Sequence, residues 1–150
     1  MVTHYEQLDH QLANLRPLAN TPRPARGWVR AIRNTLGMTT KQLAARMGVS
    51  QPRIVTLEKA EVDRTITLES LERAAEALGC RVVYALIPEK PLGETLKERA
   101  NQIADQQLAT VDQTMRLESQ GVTNGKIRND LRNRLAENIL RHPARLWDKM

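Results

Sequence analysis

The stretch Met38–Glu58, MTTKQLAARMGVSQPRIVTLE, constrains what this chain can fold into more than any other. It reads as two short helices joined by a tight turn. Thr39 and Gln42 have the spacing of a capping box, in which a threonine N-cap and a glutamine at N3 satisfy two orphan N–H groups. Leu43, Ala44 and Met47 then form the apolar face of a helix buried on one side. Gly48 stands where that helix must stop, because glycine tolerates the left-handed position after a helix end. Val49 reads as a plug between the helices. Ser50 is a second N-cap, and Pro52 falls in the first turn of the new helix, where its missing N–H does little harm. Ile54 and Leu57 hold this second helix to a core and leave Gln51, Arg53 and Thr56 facing outward.

Two helices so joined make a helix-turn-helix, a motif whose second helix lies in the DNA major groove with its N-terminal residues at base edges. The stretch resembles the lambda-repressor/Cro-like (Xre) family, whose usual run is T-Q-x-x-L-A-x-x-x-G-(V/I)-S-x-x-x-(I/V)-x-x-x-E. Thr39, Leu43, Ala44, Gly48, Val49, Ser50, Ile54 and Glu58 match it. Thr40 stands where the family often has a glutamine anchored to phosphate; it can still donate a hydrogen bond but reaches less far. Gln51 and Arg53 are the expected base contacts, since glutamine pairs with adenine and arginine with guanine bidentately. Thr56 lies one turn further along the same face. Thr39, Thr40, Lys41, Arg30 and Arg46 are expected at phosphates, contacts that position a protein and carry little sequence information.

Charge supports the same partner. The net charge is +6. From His10 to Leu57 there are eight basic residues (Arg16, Arg23, Arg26, Arg30, Arg33, Lys41, Arg46 and Arg53) and no acidic one, whereas Leu92 to Met150 holds ten basic against eight acidic. A basic field of this kind neutralises phosphates and releases counterions.

The rest of the chain divides into 1–26, an N-terminal helix and basic arm; 27–88, the DNA-binding domain ending in a strand; and 89–150, a helical extension. In the first part Thr3 and Glu6 again have capping-box spacing. Tyr5, Leu8, Leu12 and Leu15 form a helical stripe, expected to pack on another subunit or on the C-terminal part. Pro17, Pro22 and Pro24 make 16–26 a linker. Its Arg23 and Arg26 could track the DNA backbone or enter a minor groove, or the linker could be a charged tether. Gly27–Leu36 reads as the first helix of the domain, with Trp28, Ala31, Ile32 and Leu36 inward and Arg30 and Arg33 on the other side. Lys59–Ile66 reads as a polar loop. Thr67 caps a helix with Leu68, Leu71, Ala74, Ala75 and Leu78 on its inner face.

At Cys80–Ile87, CRVVYALI, the period becomes alternating and β-branched, as in a strand. One strand cannot satisfy its own backbone, and the chain offers no second. A homodimer pairing Val82, Tyr84 and Leu86 with the same strand of a second copy is expected, reading a palindromic operator. Beyond PEKPLG, Leu96, Ala100, Ala104, Leu108, Val111 and Met115 mark one face of a helix of roughly 24 residues. Gly121–Gly125 is a break, and Ile127, Leu131, Leu135 and Ile139 mark a last helix. The expected class is mainly α: a lambda-repressor-like helix-turn-helix domain, one strand pairing across a dimer, and a C-terminal helical hairpin.

No metal-ligand cluster, phosphate-binding glycine loop or nucleophile–base arrangement occurs in the sequence, so neither an enzyme nor a cofactor is expected. His4 and His10 read as surface residues. The single Cys80 allows no internal disulfide and argues for a reducing compartment. With no apolar run near twenty residues and no signal-peptide core, a cytoplasmic protein without a membrane partner is expected.

Nearly the full length resembles the bacterial family called mobile mystery protein A. The resemblance rests on Arg26-Gly27-Trp28-Val29-Arg30-Ala31-Ile32-Arg33, Arg73-Ala74-Ala75-Glu76-Ala77-Leu78-Gly79-Cys80 and Thr114-Met115-Arg116-Leu117-Glu118-Ser119-Gln120. It implies an antitoxin and autoregulator encoded beside a Fic-domain partner, a fold that typically transfers AMP from ATP to protein hydroxyls. Fic enzymes are commonly held off by a helix with the motif (S/T)-x-x-x-E-(G/N), whose glutamate pairs with an active-site arginine. Thr114 and Glu118 have that spacing and share one helix face, with Ser119 where Gly or Asn usually follows. The resemblance therefore implies a repressor, or alternatively a direct inhibitor of a Fic AMP-transferase acting through the 92–120 helix.

Overall fold

The computed structural model describes residues 4–117 and 125–148, apart from the side chains of 115–117. The described residues form seven α-helices: α1 (His4–Ala13), α2 (Trp28–Thr35), α3 (Thr40–Met47), α4 (Gln51–Val62), α5 (Leu68–Ala77), α6 (Leu92–Leu117) and α7 (Gly125–Leu140), with short 3-10 turns at Arg16–Asn20 and Pro143–Trp147. They fall into two units. One spans Pro17–Leu86. The other joins the N-terminal segment through Arg16 to the chain from Ile87 onward. The N-terminal helix and the basic arm, adjacent in sequence, thus belong to different units.

The Pro17–Leu86 unit packs α2 to α5 around Val29, Leu43, Ala44, Ile54, Leu57, Ala74 and Leu78. The α3–turn–α4 geometry follows from its residues. The Thr39 hydroxyl accepts from Gln42 N at 3.1 Å and the Gln42 side chain accepts from Thr39 N at 2.8 Å, closing the capping box. Gly48 has φ 68, and Val49 N returns to Ala44 O at 3.0 Å, so α3 stops on a left-handed residue and the chain reverses into α4. Ser50 occupies the N-cap of α4 without a side-chain capping bond.

Besides Leu68 at the start of α5, which is 48% exposed and not on the inner face, three features of this unit differ from the sequence expectation. α2 is rotated: Val29 and Arg33 are buried, while Trp28 and Leu36 are exposed. α4 runs to Val62, so Lys59–Val62 is helix and not loop. The reason is common to both. Glu58, just before that last stretch of α4, and Glu61 within it are buried and hold α2. Arg33 Nε donates to Glu58 Oε1 at 2.6 Å, its second terminal nitrogen donates to Oε2 at 3.2 Å, and the first donates to Met38 O at 2.8 Å. Glu61 accepts from the backbone N–H groups of Trp28 (2.7 Å) and Val29 (3.0 Å), capping α2 from 33 residues away. Gly27, at φ 85, leaves room for that carboxylate; a Cβ there would lie 2.6 Å from Glu61 Oε2.

The third difference is the strand. No strand occurs among the described residues, and Cys80–Ile87 is irregular. Its alternating pattern supplies β-propensity, but a strand exists only as part of a ladder, and no segment among the described residues pairs with this one. Val82 is half-buried, whereas Val83, Tyr84 and Leu86 are 71, 68 and 86% exposed, so neither alternating set is covered.

In the other unit α6 and α7 form a hairpin whose core is Ala100, Ala104, Ala136 and the fully buried Leu146 of the closing 3-10 turn. Alanines at these positions let the helices approach closely. Leu96 and Leu108 follow the expected stripe, but Val111, Ile127 and Leu131 are exposed toward the far end. The expected break at 121–125 lies outside the described residues except for Gly125, as does Thr3. α1 packs on α6, one of the two packings expected for it. Asp9 caps α6 by accepting from Leu92 N (2.6 Å) and Gly93 N (2.9 Å), and the Tyr5 ring lies against Gly93.

Candidate nucleic-acid interface

The start of α4 is an exposed ledge. Gln51, Arg53, Val55 and Thr56 are all exposed, while Ile54 and Leu57 on the opposite face are buried. Gln51 Nε2 donates to Thr40 Oγ1 at 2.9 Å, linking the first turns of α4 and α3. That bond uses one amide hydrogen. It leaves the other hydrogen and the carbonyl oxygen open, the donor and acceptor that adenine N7 and N6 require. The Thr56 hydroxyl donates to Pro52 O at 3.0 Å, so its one hydrogen is used and the oxygen remains as an acceptor. The Arg53 guanidinium has no hydrogen bond or ion pair among the described residues.

The residues expected at phosphates are distributed less evenly. Thr39, Thr40 and Lys41 cluster at the N-terminus of α3, beside Gln51, and Lys41 is exposed. Arg46, at the far end of α3, donates from Nε to Ala77 O at 2.8 Å and so also closes the C-terminus of α5. Arg30 is half-buried on α2, with its Nε buried and unpartnered among the described residues. Thr114 lies exposed on α6 in the other unit, its hydroxyl donating to Thr110 O at 3.0 Å; Glu118 lies outside the described residues. Sequence reasoning passed over Lys59, exposed on α4 three residues after Thr56. The signal that would have found it is the helical period, had it been carried past Glu58.

Burial sharpens the charge balance of this unit. Residues 17–86 hold eleven Lys and Arg against six Asp and Glu. One of those cations, Arg33, and two of the anions, Glu58 and Glu61, are buried together. The exposed or half-buried remainder is ten cations and four anions, a surface suited to a polyanion.

Fold and ledge together define a helix-turn-helix domain of the kind that reads duplex DNA. The comparison with known families agrees: residues 29–84 match the helix-turn-helix family HTH_3. This segment is a helix-turn-helix domain of the lambda-repressor-like (Xre) kind, and the match points to a DNA-binding transcription regulator. No curated protein and no solved structure matches the chain. Among the described residues no helix is long and apolar enough to cross a membrane, and no group of three or more His, Cys, Asp or Glu could hold a metal ion.

Proposed function

We propose that the protein is a sequence-specific transcriptional repressor that binds a palindromic operator as a homodimer. The observation that carries this is the exposed start of α4, where Gln51 is oriented by Thr40 and Arg53 is free to reach a base. The uncovered Val83, Tyr84 and Leu86 beside Val82 support the dimer, since a second copy would supply the ladder this segment lacks. A gel-shift and salt titration on DNA upstream of the gene, against scrambled DNA of equal length, tests the reading. Tight binding to the upstream DNA alone, with a palindromic footprint, is expected. Weak binding to both, falling steeply with salt, would reduce the domain to a general phosphate binder.

The resemblance to mobile mystery protein A supports a finer reading: the autoregulating antitoxin of a pair with a Fic-domain toxin. In its alternative form the 92–120 helix inhibits the Fic enzyme directly, and the exposed Thr114 favours that site. Glu118→Arg separates the two. Direct inhibition predicts that this change releases the activity of a co-expressed Fic partner and leaves operator binding intact. Unchanged inhibition would remove Glu118 from the mechanism.

A further inference from the structure

The seam between α6, α7 and the Pro143–Trp147 turn is incompletely filled. A cavity of about 270 Å³ opens there, with Ile103, Leu135 and Ile139 as its apolar floor and Gln107, Asn138, His142 and Arg145 around its mouth. The floor residues are half-buried and the four rim residues exposed. Among the described residues no carboxylate lines it.

Arg145 stands on a rigid base. The next residue, Leu146, is fully buried, and its carbonyl accepts from Arg99 Nε at 2.9 Å. Arg145 N donates to His142 O at 3.1 Å, and His142 N donates to Ile139 O at 3.0 Å, tying the turn to the end of α7. The Arg145 guanidinium itself makes no hydrogen bond or ion pair among the described residues. A free guanidinium presents parallel N–H donors that match a carboxylate. An apolar floor with a few convergent polar groups is the composition of small-molecule sites.

We propose that this cavity binds a small amphipathic carboxylic acid. The hydrocarbon part lies on Ile103, Leu135 and Ile139, and the carboxylate meets Arg145, with Asn138 and His142 as neighbouring donors. An inorganic anion would leave the floor uncovered, and an amine would meet a cation with no carboxylate to receive it. The site lies wholly in the unit that lacks the helix-turn-helix and does not depend on the DNA-binding reading.

The test is a titration of the full chain, with isotope-labelled methyl groups, against hexanoate, hexan-1-ol and hexylamine, read by NMR. Hexanoate is expected to shift the methyl signals of Ile103, Leu135 and Ile139 saturably, with a dissociation constant on the order of 1 mM for so small a probe. Arg145→Gln, at an exposed position, should weaken hexanoate about tenfold and leave the alcohol unchanged, as loss of one charge-assisted hydrogen bond requires. Gln107→Trp, placed on the rim, should block all three probes. Equal binding of hexanoate and hexylamine, no effect of Arg145→Gln, or shifts that never saturate would each overturn the proposal.

Discussion

At the scale of single residues, two arginines twenty positions apart do opposite work. Arg53 is exposed and unpaired on α4, whereas Arg33 is buried against Glu58. For Arg53, replacement by alanine is expected to cost about 1–3 kcal/mol at its cognate base and to relax selectivity there. Binding to a set of operators altered at single base pairs measures this. Equal losses on operator and random DNA would instead assign Arg53 to phosphate. For Arg33, both charged groups are 9% exposed as side chains, so removing one strands the other in the core. Arg33→Met should lower stability by about 3–5 kcal/mol in urea unfolding, while Arg33→Met with Glu58→Leu should recover most of that loss. A double variant as unstable as the single one would show that the pair contributes more than mutual neutralisation.

At the scale of elements, the sequence and the structure agree where the determinants are local. The capping box at Thr39 and Gln42, the left-handed Gly48 and the buried Ile54 and Leu57 all act within a few residues, and each was legible. The phase of α2 and the length of α4 were not. Both depend on carboxylates that reach 25 to 33 residues back along the chain, and a one-dimensional periodicity counts such groups as polar and exposed. The same blindness hid the cap that Asp9 places on α6, 83 residues away. The end of α4 has its own local oddity. Arg64 adopts φ 61, the left-handed position that a glycine takes at the ends of α2, α3 and α5. A side chain in this region costs roughly 1 kcal/mol, so Arg64→Gly is expected to raise the melting temperature by a few degrees. A lower melting temperature would mean that the Arg64 side chain contributes more than its backbone conformation costs.

At the scale of the whole molecule, charge and core are partitioned differently. Each unit has its own apolar cluster, but the net positive charge sits almost entirely in residues 17–86, which carry +5 of the total +6. The basic arm belongs to that charged unit, and Gly27 N donates to Pro24 O at 3.0 Å, so the arm ends in a turn directly before α2. Arg23 and Arg26 are exposed on it. An arm that tracks phosphates and an arm that merely tethers make different predictions for salt dependence, because each phosphate neutralised contributes about −0.9 to the slope of log K against log salt. In a dimer, Arg23→Ala with Arg26→Ala removes four cations. If all four meet phosphates, the slope should become shallower by about 3.6, with nearly the same loss on every DNA sequence. If the arm is a tether, the slope is unchanged and only contacts from α2 to α4 set it. An intermediate change would count the arginines that reach the backbone. A loss confined to A·T-rich flanks, with little change in slope, would instead place the arm in a narrowed minor groove.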